Sequence, residues 1–274
     1  MAPQKRPALS RICFFLLFLF ACVFLCSAGY LAVYSLRSRA STEAFDALSR
    51  EVNALRSSSP SDSPDPTPES PADRFPGDSR GEQGILAQYA PLYARNNHMA
   101  GWLSIDGTDL SYPVMHTPEL PDYYLHRDFS GSPSNWGCIY AQEECDLLTP
   151  SDNVILYGHH MKDGTMFGSL DDYACDAYRE SHPFIRFDTL TEQHVYEVFA
   201  VFTTTATTGE GFAYYDFINA GSEADFDAFI SSCLALSLYD TGIVPVWGDK
   251  ILCLSTCEYS RPNGRFVVAA VRID

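Results

Sequence analysis

The sequence is poor in basic residues, and this shortage excludes one large class of function. It contains 18 Lys and Arg against 35 Asp and Glu, which gives a formal net charge of -17. Beyond the first forty residues there is no block of Lys or Arg. A polyanion such as DNA or RNA is repelled by a chain of this charge. We therefore predict no nucleic-acid partner.

Charged side chains are absent from one continuous stretch, residues 12–36. As a helix, its 25 residues span about 37 Å, enough for a bilayer core. The stretch predicts a transmembrane anchor, with residues 1–11 in the cytoplasm because their basic side chains favour the inner face. The rest of the chain is then extracytoplasmic. A cleaved signal peptide ending near Cys26-Ser27-Ala28 and a lipoprotein signal ending at Cys22 are the competing interpretations.

The sequence also lacks a disulfide framework and a metal motif. It has nine cysteines, but some lie in the apolar stretch and the others are scattered without regular spacing. The histidines show no metal-ligand spacing either. We predict no metal site and mostly free, buried thiols. The cysteines beyond the apolar stretch are Cys138, Cys145, Cys175, Cys233, Cys253 and Cys257.

The segment 37–84 has the composition of a spacer. Apolar residues recur at helical steps from Phe45 to Leu55, which predicts a short amphipathic helix leaving the membrane. From Ser57 to Gly84 the chain is rich in Ser, Pro, Asp and Gly and cannot bury enough apolar surface to fold. We predict a stalk followed by a disordered linker.

Residues 85–274 carry the composition of one folded domain. A short helix is predicted from Ala87 to Tyr93 and a longer one from Glu223 to Leu238, where apolar residues share one face. Many short β-branched or aromatic runs bounded by turn residues predict a barrel or a sandwich. These runs are 101–105, 137–140, 153–157, 195–199, 250–254 and 266–271.

Three residues suit thiol catalysis, which needs a nucleophile, a base that later donates a proton, and a donor for the developing oxyanion. Cys257 stands where an apolar run meets a turn-prone segment. Arg265 opens the last run, so antiparallel pairing of these two runs returns it to Cys257. His159 ends another predicted strand. Alone, these signals are weak, because a cysteine at a strand end is more often a core thiol, and spacing does not separate His159 from His160.

The domain resembles class B sortases through motifs that follow the family order from about residue 85 to the end. The motif around Gly158 has its base directly after the glycine, which favours His159 over His160. The matching elements are Gly101-Trp102-Leu103-Ser104-Ile105, Tyr112-Pro113-Val114, Asp122-Tyr123-Tyr124-Leu125, Asp128-Phe129, the run from Tyr157 to Phe167, Leu254-Ser255-Thr256-Cys257 and Gly264-Arg265.

The resemblance implies both a fold and a set of roles. The fold is a closed β-barrel of about eight strands, with an N-terminal helix and an inserted helix before the nucleophile strand, preceded here by the transmembrane helix. The family nucleophile maps onto Cys257, its acid and base onto His159, and its stabilising arginine onto Arg265. Ser255, on the same strand face as Cys257, is expected to help position the substrate. No cofactor is implied.

The resemblance also implies substrates. Sortases cleave a sorting motif near the C-terminus of an exported protein, of the Asn-Pro-x-Thr or Ser-Pro-x-Thr type in class B. A thioacyl enzyme then passes the protein to an amine of a cell-wall peptide or its lipid-linked precursor at the outer membrane face. The alternatives are a hydrolytic cysteine peptidase, a pilin-linking sortase, and a catalytically inert receptor or adhesin on a stalk.

Overall fold

A computed structural model describes residues 7–58 and 84–274. The chain forms two compact units, Met1–Phe45 and Asp46–Asp274. From residue 59 to 83, the predicted linker lies outside the described residues. The boundaries predicted for the cytoplasmic end, anchor, linker and catalytic domain therefore stay predictions.

One helix, α1, runs from Pro7 to Ser58 and covers both the predicted anchor and the predicted stalk helix. From Phe14 onward it is long and apolar enough to cross a membrane, and none of its most apolar window is buried within the protein. Length and composition therefore agree with a membrane anchor.

The unit Asp46–Asp274 contains a closed barrel of eight strands in the order β1-β2-β3-β4-β7-β8-β6-β5. Neighbouring strands are antiparallel except for two parallel pairs, β2 with β3 and β4 with β7. The barrel is closed, so each of these strands has a neighbouring strand on both sides. The strands are β1 Met99–Ser104, β2 Ser111–Met115, β3 Ile139–Ala141, β4 Asn153–Tyr157, β5 Phe184–Thr189, β6 Val195–Thr205, β7 Ile251–Glu258 and β8 Gly264–Arg272.

Among the described residues, three short α-helices accompany the barrel: α2 Ala90–Arg95, α3 Asp176–Ser181 and α4 Glu223–Leu236. Short 3-10 helices form at Tyr123–His126, Gly168–Ala174 and Tyr214–Asp216. The inserted helix α4 packs against β6 through its buried apolar face. Ser222 caps its first turn by accepting a hydrogen bond from the Asp225 backbone N–H at 3.3 Å. The predicted inserted helix is therefore confirmed, ending two residues earlier than expected.

The closed barrel is confirmed, and the departures from prediction have local causes. All six predicted runs form strands. The sequence pattern did not predict β2 or β5. In β2 the reason is Pro113, a residue that is rare within strands. The predicted helix over Ala87–Tyr93 is wrong in its bounds. Pro91 occupies the first turn of α2, a position that needs no backbone N–H donor, and this turn starts the helix at Ala90.

The last turns of α1 pack on the barrel. Leu48 and Val52 are buried, which explains the apolar periodicity of this segment. Arg56 forms an ion pair with Asp188 of β5 at 2.8 Å, and the hydroxyl of Tyr89 also donates to Asp188. The Asp188 carboxylate is 2% exposed and Arg56 is 25% exposed, so this cluster lies largely outside water.

Replacing Asp188 with Ala is expected to destabilise the unit Asp46–Asp274 by about 3 kcal/mol, because Arg56 would remain partly buried without its counter-charge. Urea unfolding followed by tryptophan fluorescence measures this change, since Trp102 stacks on Tyr89 beside the cluster. The control is Asp106→Ala, which removes a partner of Arg186 that is 68% exposed. We expect that variant to lose about 0 to 1 kcal/mol. Equal losses would contradict the assignment.

Candidate active site

Cys257 and Arg265 face each other across one hairpin. Cys257 lies one residue before the end of β7, and the antiparallel register pairs it directly with Arg265 in β8. Both side chains are half-buried. The predicted return of Arg265 to Cys257 is therefore observed, and it follows from the short turn that joins the two strands.

His159 reaches the same region from a neighbouring strand. β4 runs parallel to β7, with Tyr157 in register with Ser255, so the ends of both strands lie side by side. The backbone N–H of Gly158 donates to the Ser255 carbonyl at 3.2 Å, and the Thr256 hydroxyl donates to the Gly158 carbonyl at 2.8 Å. These bonds fix the backbone that presents His159.

Gly158 leaves no room for a side chain at this point. A Cβ atom there would lie 2.5 Å from Ile139 Cδ1 and 2.7 Å from the ring of Phe167. Only glycine allows the chain to pass so close to these residues before it turns to His159. The glycine of the motif therefore has a packing role beside the histidine.

The His159 ring is held by the 3-10 helix Tyr123–His126, which also lines the cleft. Its Nε2 donates to the Leu125 carbonyl at 2.7 Å, so this nitrogen carries a proton and Nδ1 is the atom left for proton transfer. His126 stacks on the ring with centroids 5.4 Å apart. Burial lowers the pKa of His159; the bond to Leu125 opposes this effect, and the charge of His126 adds to it.

His126 is a functional candidate that sequence reasoning missed. Its sequence features predicted only a surface or core histidine, yet it lines the same cleft as His159. The one available signal was its position directly after the Asp122-to-Leu125 motif. Stacking against His159 depends on the path of this segment, which residue spacing does not reveal.

Arg265 keeps its charge available. Its Nη1 donates to the backbone carbonyls of Gly264 at 3.0 Å and Asn263 at 3.4 Å, and neutral carbonyls do not cancel a cation. The Arg265 charge lowers the pKa of Tyr140 and of Tyr214, although burial raises both pKa values overall. The guanidinium therefore lies within electrostatic reach of two phenols of the cleft.

A cleft of about 850 Å³ is lined by all four residues that the sequence predicts for the site, His159, Ser255, Cys257 and Arg265. Ser255 lies at its buried floor, with its hydroxyl 2.5 Å from that of Tyr214. Tyr140 donates to Asp122 at 2.6 Å, which fixes another part of the wall. The residues that line the cleft include His126, Tyr140, Tyr157, His159, Tyr214, Ser255, Cys257 and Arg265, together with the acidic Asp122, Glu143, Glu144 and Asp216.

Most other cysteines of the unit Asp46–Asp274 are buried core thiols. Burial raises the pKa of Cys145 to about 11. It also raises the pKa values of Cys138, Cys233 and Cys253, which disfavours their thiolates. Cys175 is exposed at the start of α3 and does not line the cleft. Cys257 is thus the thiol that shares a cleft with a histidine and an arginine.

His160, the rival of His159, points elsewhere. Its Nε2 lies 2.6 Å from Asp171 Oδ2, and its ring makes a T-shaped contact with the ring of Tyr259. Unlike His159, it does not line the cleft. Within residues 7–58 and 84–274, no group of three or more His, Cys, Asp or Glu side chains could hold a metal ion.

Comparison with known proteins identifies the family. The Sortase domain family model matches residues 103–273. Sortase B of Staphylococcus aureus is 32% identical over 194 residues, which cover 70% of this chain and 77% of that protein.

Two solved structures extend the match to the fold. The Staphylococcus aureus sortase B–substrate complex has a TM-score of 0.72 at 26% identity, covering 87% of this chain and 99% of that one. A sortase B complexed with triglycine has a TM-score of 0.62 at 32% identity, covering 68% and 86%. The chain belongs to the sortase family, as a class B enzyme with cysteine transpeptidase activity.

Proposed function

We propose that Cys257 is the nucleophile of the transpeptidation, His159 its general acid and base, and Arg265 the donor that stabilises charge on the reacting oxygen. The supporting observation is that the β7–β8 register and the parallel β4–β7 pair bring these side chains to one cleft. Ser255 helps to position the substrate from the buried part of the cleft, where its hydroxyl hydrogen-bonds with that of Tyr214.

Acylation follows from these positions. With His159 protonated, the Cys257 sulfur attacks as a thiolate on the carbonyl of the motif threonine, and Arg265 donates hydrogen bonds to the oxygen as its negative charge grows. The peptide C–N bond breaks, and His159 delivers a proton to the departing amine. Because burial lowers the pKa of His159, its protonated form is a stronger acid toward that amine.

Transfer reverses the proton's direction. The acceptor amine attacks the thioester carbonyl, the C–S bond breaks, and the sulfur leaves as thiolate. His159, now neutral, accepts the proton that the amine loses. The lowered pKa of His159 favours this neutral form.

Sortases act on substrates that carry a sorting motif and on amine nucleophiles. For this chain we assign an exported protein with an Asn-Pro-x-Thr or Ser-Pro-x-Thr motif, and the amine of a cell-wall peptide or its lipid-linked precursor. Two relatives support these classes of ligand, since one sortase B was solved with its substrate and another with triglycine.

Sortases are cell-surface enzymes, and the apolar part of α1 is long enough to cross a membrane. We assign it as a single-pass anchor with the catalytic unit outside the cell. This placement brings Cys257 to the face of the membrane where exported proteins and lipid-linked wall precursors are found.

One experiment tests motif and acceptor together. The full chain in detergent micelles is incubated with a library of Pro-x-Thr peptides and triglycine, and the products are identified by mass. We expect cleavage after the threonine and a product ligated to triglycine. Hydrolysis alone under excess amine would indicate a peptidase, and ligation only to lysine side chains would indicate a pilin-linking enzyme.

The neighbour of His159 gives a pH-dependent prediction. Positive charge on His126 lowers the pKa of His159, so His126→Gln is expected to raise that pKa. Since His159 must be neutral to accept the amine proton, the transfer rate falls as pH drops through its pKa. The acid limb in a plot of transfer rate against pH should therefore move to higher pH in His126→Gln. An unchanged or lower midpoint would contradict the coupling.

A further inference from the structure

A second cavity shares a wall with the catalytic cleft. The 3-10 helix Tyr123–His126 lines the cleft with Leu125 and His126, and it lines the second cavity with Tyr123 and Tyr124. No residue lines both cavities. The second one has a volume of about 760 Å³, which is typical of a site for a small ligand. The proposed mechanism makes no use of it.

The aromatic wall of this cavity is fixed by ring contacts. The rings of Tyr123 and Tyr124 meet at 75° with centroids 5.1 Å apart, and the His98 ring makes T-shaped contacts with both of them. The guanidinium of Arg127 lies 4.6 Å from the centroid of the Tyr123 ring, and its Nη1 donates to the Gly131 carbonyl at 3.0 Å. Since the wall is ordered already, a ligand loses little affinity in ordering it.

Hydrogen bonds in this wall leave His98 with a free donor. Asn96 Nδ2 donates to the Tyr124 hydroxyl at 2.7 Å, so the hydroxyl hydrogen can itself be donated to His98 Nδ1, 3.1 Å away. A neutral imidazole that accepts at Nδ1 carries its proton on Nε2. Among the described residues, nothing accepts a hydrogen bond from this Nε2. The His98 ring therefore offers an N–H donor to a ligand.

Asn97 and Tyr93 supply further polar groups to the same cavity. Asn97 is exposed and Tyr93 is half-buried. In the described part of the chain, neither the Asn97 side-chain amide nor the Tyr93 hydroxyl has a hydrogen-bond partner. An amide and a hydroxyl can each donate and accept. The cavity thus combines aromatic surface with a mixed set of donors and acceptors.

The charge of the cavity disfavours an anionic ligand. Of the described residues that line it, Arg95 alone is an Arg, Lys, Asp or Glu. Its Nη1 lies 2.8 Å from the Glu51 carboxylate, which balances its charge. The chain as a whole carries a formal net charge of -17, and such a chain repels anions. The ligand that fits is uncharged.

We propose that this cavity binds an uncharged, N-acetylated saccharide, the class of sugar from which cell-wall glycan is built. An acetamido group has a carbonyl that accepts from the His98 Nε2–H and an N–H that donates to the Asn97 amide oxygen. Sugar hydroxyls both donate and accept, which suits the Tyr93 hydroxyl, and sugar C–H faces pack on aromatic rings.

The source of the saccharide rests on the proposed function, in which a cell-wall peptide or its lipid-linked precursor reacts in the neighbouring cleft. Wall glycan is joined to such peptides. A glycan-binding cavity that shares the helix Tyr123–His126 with the cleft would hold the wall beside the site of transfer. Binding of the sugar itself requires no thioacyl enzyme, so it can be measured without a motif peptide.

The test is a titration of the full chain, in micelles of a detergent without a sugar headgroup, followed by saturation-transfer NMR. The probes are triacetylchitotriose, maltotriose and inorganic phosphate. We expect saturable binding of triacetylchitotriose and at least fivefold weaker binding of the other two. Asn97→Ala should raise the Kd for triacetylchitotriose by about 3- to 10-fold, the effect of losing one or two hydrogen bonds. Tyr93→Ala, which removes a ring and a hydroxyl, should raise it by about fivefold or more.

The matched control is Asn135→Ala, because Asn135 is an exposed asparagine that lines neither cavity. Its Kd should equal that of the parent chain. Absence of saturable triacetylchitotriose binding, equal affinity for maltotriose, or equal Kd values in Asn97→Ala and Asn135→Ala would overturn the proposal. So would phosphate binding that Asn97→Ala weakens. A chain that binds the sugar and forms no thioacyl enzyme with motif peptides would instead contradict the proposed function.

Discussion

Replacing Cys257 with Ala is expected to reduce peptide cleavage and ligation by about 10⁴-fold or more, because no other thiol among the described residues of the cleft can form the acyl enzyme. Loss of a nucleophile removes the whole covalent pathway, and what remains is the contribution of binding and oxyanion stabilisation. The thioacyl adduct itself should disappear from the intact-protein mass spectrum when a motif peptide is added.

The chain offers a matched control for this variant. Cys175 is also solvent-accessible, but it lies at the start of α3, away from the cleft, and its side chain makes no capping hydrogen bond. Cys175→Ala should cleave and ligate like the parent chain. An adduct that persists in Cys257→Ala, or activity lost in Cys175→Ala, would move the nucleophile away from β7.

The buried thiols make this prediction sharper. A core cysteine would have to ionise within an apolar environment, and burial already raises the pKa values of Cys145 and Cys253. Neither thiol lines the cleft. Alkylation of the native protein should therefore modify Cys257 and Cys175 before the core thiols, which gives an independent check on accessibility.

The parts of the site that the sequence predicts are those set by regular structure. Cys257 and Arg265 flank a short turn between two apolar runs, and antiparallel pairing alone brings them together. His159 required the family motif, because β4 and β7 are far apart in sequence and their parallel pairing has no local signal. The sequence pattern also did not predict β2 as a strand, because β2 contains Pro113.

Residues positioned by loops were beyond such reasoning. His126 stacks on His159 beside the Leu125 carbonyl, which accepts a hydrogen bond from His159 Nε2, and these segments are not paired as strands. Tyr259 meets His160 through the path of the β7–β8 turn. The ion pair of Arg56 and Asp188 joins residues of opposite charge that are 132 positions apart, a separation at which sequence patterns carry no information about contact.

Adjacent histidines provide the second test of the catalytic assignment. His159→Ala is expected to reduce turnover by about 10³- to 10⁴-fold, because it removes the group that we propose as both donor and acceptor of the transferred proton. His160→Ala should cost about tenfold or less, because His160 contacts Asp171 and Tyr259 and does not line the cleft. Steady-state rates with one motif peptide and triglycine measure both.

The two variants also differ in how they can be rescued. His159→Ala leaves a space between the Leu125 carbonyl and the His126 ring that added imidazole can enter. The bound imidazole would then supply the proton donor and acceptor that the variant lacks. Imidazole should therefore restore part of the activity of His159→Ala and none of that lost in His160→Ala. Equal losses in the two variants, or rescue of His160→Ala alone, would transfer the acid and base role to His160.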